Sequence, residues 1–355
     1  MSRRQNGVSI YDVAKAAGVS IATVSRTLNG GTSVSPEIAR RVTDAVDALG
    51  YIPARAAQDL SNRRSRMLAA ILPSLDYAIY ARKAEAFRAR AASRGYGLLL
   101  ATSNWSLETE YEQCVDLIRS GAEGIMLEGG LHQTVVYEVL QRRGIPYVNT
   151  STYKPKGEHP SIGFSNIEIG ARAARHLLDL GHTDIGVIAG RMATNDRTSE
   201  RVVGIRKALE ERGLVLRENR VIECEYRIGD ARQAFRHLLS ASPAPTALVC
   251  TNDVLALGAV LESQHADIPI PDRVSIVGYD DLDWAAHLKP GLTTFYVPTA
   301  EIGERSADYL ISRIEGHSAV DHSELEVPFI LRASTGPAPG TTDFRRERTR
   351  LPSSK

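Results

Sequence analysis

The sharpest alternation of apolar and polar positions lies near the N-terminus, in VSIYDVAKAAGVSIATVSRTLN (8–29). Residues 10–17 have the composition of a short helix, with Ala14, Ala16 and Ala17 small enough for a second helix to cross closely. Gly18 breaks it, as the residue that takes a positive φ without strain. Val19 follows as a buried staple, and Ser20 is a good N-cap for a second helix over 21–28. In that helix Val24 and Leu28, at i and i+4, point inward, while Thr23, Ser25, Arg26 and Asn29 form a polar face. A third helix starts with Ser35 as N-cap and Pro36 in first position, and ends at Gly50. Its Ile38, Val42, Ala45, Val46 and Leu49 form one apolar stripe that closes a three-helix core. Such a unit is small for independent stability.

Residues 54–60, ARAAQDL, are helix-competent but short, and the basic SNRRSR follows. Isolated helices below about 12–15 residues are marginal in water. The segment reads as a linker that becomes helical when it docks, or as a passive tether. From Met67 the period changes. Apolar runs suited to strands recur at 67–72, 96–101, 123–128, 146–150, 184–190, 246–251 and 274–279. Amphipathic stretches lie between them, for example 109–120, 169–180 and 199–212. This is βαβ repetition, hence parallel sheet covered on both faces, and it is long enough for two lobes. Residues 292–331 read as strand, helix and strand. A two-lobed α/β body binds ligand between the lobes, at the C-terminal ends of the strands. The Pro-rich, then basic, tail from Pro337 is expected to be disordered.

Composition narrows the class. A chain of 355 residues with 43% hydrophobic and 24% charged positions suits a soluble globular protein of two or three domains. There is no apolar run of membrane-spanning length and no signal-peptide pattern at the start, so no membrane partner is expected. Cys114, Cys224 and Cys250 are too scattered for a disulfide framework or a zinc site, which points to free thiols in a reducing cytoplasm. The formal net charge of +1 hides an asymmetry: residues 1–66 hold ten Lys/Arg against five Asp/Glu, leaving the remainder acidic. A basic headpiece on an acidic body is what phosphate binding without general stickiness requires.

Two short helices joined through a glycine turn form a helix-turn-helix, whose second helix enters the DNA major groove. The competing reading is an ordinary pair of surface helices. Further stretches decide between them. VS at Val34 and Ser35, ALGYIPARAAQDL (48–60), LGHTDIGVIAG (180–190), DRTSERVVGI (196–205), CTNDVLALGA (250–259), VSIVGYDDL (274–282) and PGLTT (290–294) stand in order behind the opening motif. Together they resemble the lactose-repressor/galactose-repressor family of bacterial transcriptional regulators from Val8 to about Pro337.

That resemblance implies an all-α helix-turn-helix headpiece (1–53), a hinge helix and linker (54–66), a two-lobed α/β core like a periplasmic binding protein (67–336) and a tail (337–355). The core is expected to have parallel sheets and three crossovers, near 164–166, 292–295 and 324–327. The implied partners are a double-stranded DNA operator, a small-molecule effector and a second copy of the chain. The tail carries no leucine heptad, so a homodimer is expected rather than a tetramer. The implied setting is the bacterial cytoplasm, with the protein nucleoid-associated.

Carried over residue by residue, Ile21 and Ala22 take the base-discriminating positions and Arg26 the major-groove arginine, suited to guanine acceptors. Tyr11, Ser20, Thr23, Ser25, Asn29 and Tyr51 fall at phosphate or positioning contacts. Leu60 takes the place of a leucine that wedges into the minor groove, with Ala57 packed beside it. In the cleft, Arg197, Arg201, Asn252 and Asp280 occupy polar effector positions, Phe164 and Tyr226 aromatic ones, and Tyr77, Ile79 and Tyr80 a lining loop. The structural alternatives are an N-cap for Asn252 and a turn cap for Asp280. Ser151 stands where the lactose repressor has an aspartate, and Val297 where that repressor has a glutamine. Two arginines with fewer acceptors lead to the expectation of a carboxylate, phosphate or sugar acid as effector.

Two rival functions stay in view. One is an enzyme, but the chain has none of the usual nucleotide-binding, nucleophile-elbow or zinc-hydrolase motifs, and its nine histidines do not cluster at catalytic spacing. No catalytic residue, metal or cofactor is therefore expected. The other is a transporter's solute-binding protein, which residues 8–60 argue against.

Overall fold

The structure is a computed structural model that describes residues 8–28, 34–51 and 64–340. The chain divides into two compact units between Ser65 and Arg66.

The first unit contains helices α1 (Ile10–Ala17), α2 (Ile21–Leu28) and α3 (Pro36–Leu49). Their ends follow from their caps. The Ser9 N–H and hydroxyl donate to Asp12 Oδ2 at 2.9 and 2.6 Å, fixing the start of α1. Gly18, at φ 63°, ends it. Val19 then donates back to the Ala14 carbonyl at 3.0 Å, and Arg41 Nη2 donates to Ala17 O at 2.5 Å. Ser20 Oγ accepts from Thr23 N–H at 3.2 Å, and Ser35 Oγ from Ile38 N–H at 3.5 Å. Val13, Ala14, Ala17, Val24, Val42 and Ala45 form the core, with Val19, Leu28, Ile38, Val46, Leu49 and Tyr51 packed around it. Ala16 departs from expectation: it is exposed, because one step along the helix from Ala17 turns it off the buried face.

The second unit has two parallel sheets. In the first lobe, β1 (Met67–Leu72), β2 (Gly97–Thr102), β3 (Ala122–Glu128), β4 (Tyr147–Thr150), β5 (Ser161–Gly163) and β11 (His322–Glu324) line up as β11-β5-β4-β3-β1-β2. In the second lobe, β6 (Ile185–Ala189), β7 (Val221–Glu223), β8 (Ala247–Cys250) and β9 (Ser275–Val277) line up as β7-β6-β8-β9. Helices Ala78–Ser93 and Thr299–Ile314 pack together on the first sheet, and Asn166–Asp179 packs against Asp196–Glu210 in the second lobe.

The chain passes between lobes at 164–165, at 296–298 and at 325–328. The second passage lies later than expected. Leu292 is buried in the second lobe's core, and β10 (Thr294–Phe295) pairs antiparallel with β12 (Phe329–Ile330), so the two later passages are tied as a ribbon. The ordered core also runs past Pro337: Ala338 is buried and its N–H donates to Leu180 O at 2.9 Å. Residues 341–355 lie outside the described part, as do Asn29, Ala57 and Leu60.

Candidate functional site

Two surfaces carry the residues singled out by sequence. On the headpiece, burial of Val24 turns Ile21, Ala22 and Arg26 of α2 outward, beside exposed Ser20. Ser20 Oγ lies 2.9 Å from Thr23 Oγ1, so one hydroxyl pair both caps the helix and faces solvent. Arg26 Nε donates to the Ala22 carbonyl at 3.2 Å, which lays the guanidinium along the helix. Thr23 and Ser25 are half-buried, and Tyr51 packs on the core edge. Tyr11 is 69% exposed although it belongs to a helix with a buried face, so its ring serves no core.

The second surface is a cavity between the lobes of the core. Every strand facing it ends there: Tyr77 follows β1, Trp105 follows β2, Ser151 follows β4, Phe164 follows β5, Asn252 follows β8 and Asp280 follows β9. This is the open end of parallel α/β sheets, where helix N-termini and loops converge. Tyr77, Ile79, Tyr80, Ser151, Phe164, Arg197, Arg201, Tyr226, Asn252 and Asp280 all line this one cavity, together with Val297.

Sequence reasoning missed Lys83, Trp105, Glu128, Asn195, Tyr279 and Thr299, which also line it. A signal existed for some. Glu128 closes the apolar run of β3 with a charge, and Trp105 and Tyr279 stand just beyond strand ends. Nothing in the Ala-rich helix sequence marks Lys83 as turned inward.

The cavity walls are aromatic. Trp105 stacks on Tyr226 with ring centroids 5.3 Å apart and planes 29° apart, and Tyr77 meets Tyr226 edge-on at the same distance. The floor is ionic. Lys83 donates to Glu128 Oε2 and to Ser151 Oγ, both at 2.5 Å, and Glu128 Oε2 also accepts from Thr150 Oγ1 at 2.8 Å. Arg197 Nη1 donates to Glu128 O at 3.0 Å and to Asp196 Oδ1 at 2.9 Å. Burial alone would raise the Glu128 carboxyl, but Lys83 and Arg197 overcome it and hold the group below its ordinary value.

Arg201 is also occupied. It donates to Asn166 Oδ1 at 3.1 Å and to Thr251 O at 2.6 Å, and its Cζ sits 3.4 Å from the centroid of the Tyr279 ring. Both arginines are thus engaged within the chain, Arg197 by carboxylates and Arg201 by neutral oxygens and a ring. Asn252 Oδ1 accepts from Leu255 N–H at 2.9 Å, so it is an N-cap as well as a lining residue. Asp253, rather than Asp280, ties the 279–282 turn, accepting from Tyr279 N–H at 2.7 Å and Leu282 N–H at 2.9 Å.

What remains unpaired is informative. Asn195 Oδ1 and the Tyr279 hydroxyl are buried without a hydrogen-bond partner among the described residues. Burial, then the neighbouring Asp253, pushes the Asp280 carboxyl well above the ordinary range against the pull of Arg201. Native interiors rarely leave such groups unsatisfied, and a ligand is one thing that satisfies them. The open volume is about 40 Å³, room for a few waters.

Among the described residues, no group of three or more His, Cys, Asp or Glu could hold a metal, and no helix is long and apolar enough to cross a membrane. Cys114 and Cys250 are buried free thiols, and Cys224 is half-buried.

Comparison with known proteins gives both surfaces a context. Residues 9–54 match the bacterial regulatory proteins of the lacI family, and residues 174–335 match a periplasmic binding protein-like domain. The HTH-type transcriptional regulator DegA of Bacillus subtilis is 31% identical over 333 residues, covering 93% of this chain and 98% of that protein. Catabolite control protein A of Priestia megaterium is 27% identical over 321 residues, 90% of this chain and 96% of that one. Among solved structures, the lac repressor dimer bound to operator and the anti-inducer ONPF superposes with a TM-score of 0.84 at 26% identity, covering 93% of this chain and all of that one.

Proposed function

Because the chain belongs to the lacI family of bacterial regulatory proteins, we propose that it represses transcription from a palindromic operator bound as a homodimer, under control of a small metabolite. The carrying observation is the outward face of α2, where Ile21, Ala22 and Arg26 stand free of a core that Val24 anchors. Arg26 reads guanine acceptors, while Ile21 and Ala22 offer only apolar contact, as to a thymine methyl. Tyr11, Ser20, Thr23, Ser25, Asn29 and Tyr51 position the phosphates. Leu60, with Ala57, enters the minor groove at the operator centre, in the role the family assigns to those positions. The protein acts in the cytoplasm, where that DNA is, and its activity is binding rather than turnover.

The effector sits in the interlobe cavity and is a neutral, polyhydroxylated metabolite. Lys83 and Arg197 are matched by the Glu128 and Asp196 carboxylates, and Arg201 is held by Asn166, the Thr251 carbonyl and the Tyr279 ring. A neutral ligand suits such a balance, with hydroxyls for Asn195 Oδ1, Tyr279 and Asp280 and an apolar ring face for Trp105 and Tyr226. A thermal-shift screen of neutral sugars, sugar acids and organic acids tests this. Stabilisation by neutral polyols that also changes DNA retardation is the expected result. Stabilisation by anions alone would overturn the ligand class.

A further inference from the structure

The cavity residues do more than line a pocket: several of them join the two lobes directly. Arg197 opens helix Asp196–Glu210 of the second lobe, and its guanidinium lies over Gly129 of the first. Gly129 has φ +92°, and a Cβ there would collide with that guanidinium, so the turn is shaped as a seat for it. Arg197 Nη1 donates to Glu128 O at 3.0 Å, and its Nε lies 3.7 Å from Glu128 Oε1. Next to it, the Gly130 N–H donates to Asp196 Oδ2 at 2.8 Å. The Arg197, Glu128 and Lys83 side chains are only 6%, 3% and 1% exposed, so these contacts are shielded from water. Tyr77 OH donates to Tyr226 O at 3.2 Å, and Lys154 lies 3.6 Å from Glu200, both again from lobe to lobe.

We propose that the protein's own side chains latch the lobes shut, Asp196 and Arg197 seating in the Glu128-Gly129-Gly130 turn, and that effector entry works by releasing Arg197 from that seat. This rests on the cavity being the effector site and adds how the site is regulated. A ligand hydroxyl presented to Glu128 or Arg197 replaces half of the latch and leaves the other half solvated by the ligand. Arg197 is then a switch whose two states differ in partner, and the effector biases the lobes through that difference.

The test is a lobe-to-lobe distance in the full-length chain with no small molecule added. Spin labels are placed at exposed Lys156 and Arg227, each changed to Cys, with Cys224→Ser to remove the one partly accessible native thiol. The latch requires one narrow distance in the parent and a longer, broader distribution in Arg197→Ala. Asp196→Ala, which removes the acceptor for Gly130 without emptying the core, should move the distance in the same direction. An already broad, long distribution in the parent would overturn the latch, as would an unchanged distance in both variants. The readout involves no DNA, so it stands or fails separately from operator binding.

Discussion

Asp253 ties the turn at residues 279–282 through three hydrogen bonds. Fully buried, it accepts from Tyr279 N–H, Leu282 N–H and the Thr294 hydroxyl, the last at 2.7 Å. These bonds hold Asp280 at φ 133° and Asp281 at φ 53°, a backbone region that costs about 1–3 kcal/mol per residue outside glycine. Burial, only partly offset by those bonds, raises the Asp253 pKa from 3.8 to about 6. A raised carboxyl pKa means the folded state binds the proton more tightly than the unfolded chain. Its contribution to stability is therefore full below pH 3.8, declines as pH rises to about 6 and is flat beyond. Asp253→Asn should remove that decline, on the order of 2–3 kcal/mol. The check is the Tm of the parent minus that of the variant across pH 4 to 7, which should rise as pH falls. The Lys83–Glu128 pair gives a second residue-scale expectation. Glu128→Gln strands a buried ammonium and should cost about 3–5 kcal/mol in denaturant unfolding, whereas Lys83→Met with Glu128→Leu should cost less.

At the scale of elements, helices meet where glycine lets them. A Cβ on Gly170 would collide with the Arg201 backbone, and one on Gly204 with Ile167 O, so helices Asn166–Asp179 and Asp196–Glu210 cross with backbones nearly touching. That crossing carries Arg197 and Arg201 into the cleft. On the headpiece, α2 is held by Val24, and the side chains proposed to read DNA are ones the core does not use. Arg26→Ala should therefore leave Tm unchanged while losing about 1–3 kcal/mol of discrimination at one base pair per half-site, measured by competition between operator variants. Helices α1 to α3 were legible in sequence because stop and start residues punctuate them, Gly18, Ser20, Ser35 and Gly50, whereas the Ser9 cap of α1 emerged only in the structure. Strands β5 and β7 were not, since three residues are too few for a period to show. Helix Asp253–His265 is buried on most sides, and an apolar stretch without a polar face gives no helical signature. In the cavity, positions at strand ends could be anticipated from topology and resemblance. The pairing of Arg197 and Arg201 could not, because Glu128 and Asn166 reach them from distant parts of the chain.

At the scale of the whole molecule, a small three-helix unit for DNA is joined in sequence to an α/β core whose cavity lies where parallel strands end. Neither unit explains the chain alone: a solute-binding protein has no use for the headpiece, and a simple DNA-binding domain none for the cleft. The central claim is that the chain is a two-fold, sequence-reading regulator, and selection of binding sites from random duplex DNA by the full-length protein tests it most directly. The account predicts a short palindrome with half-sites about one helical turn apart, a flexible pyrimidine–purine step at its centre, CG by the family resemblance, and a guanine preference in each half that Arg26→Ala relaxes. Enrichment of an asymmetric motif, or of no motif at all, would contradict it.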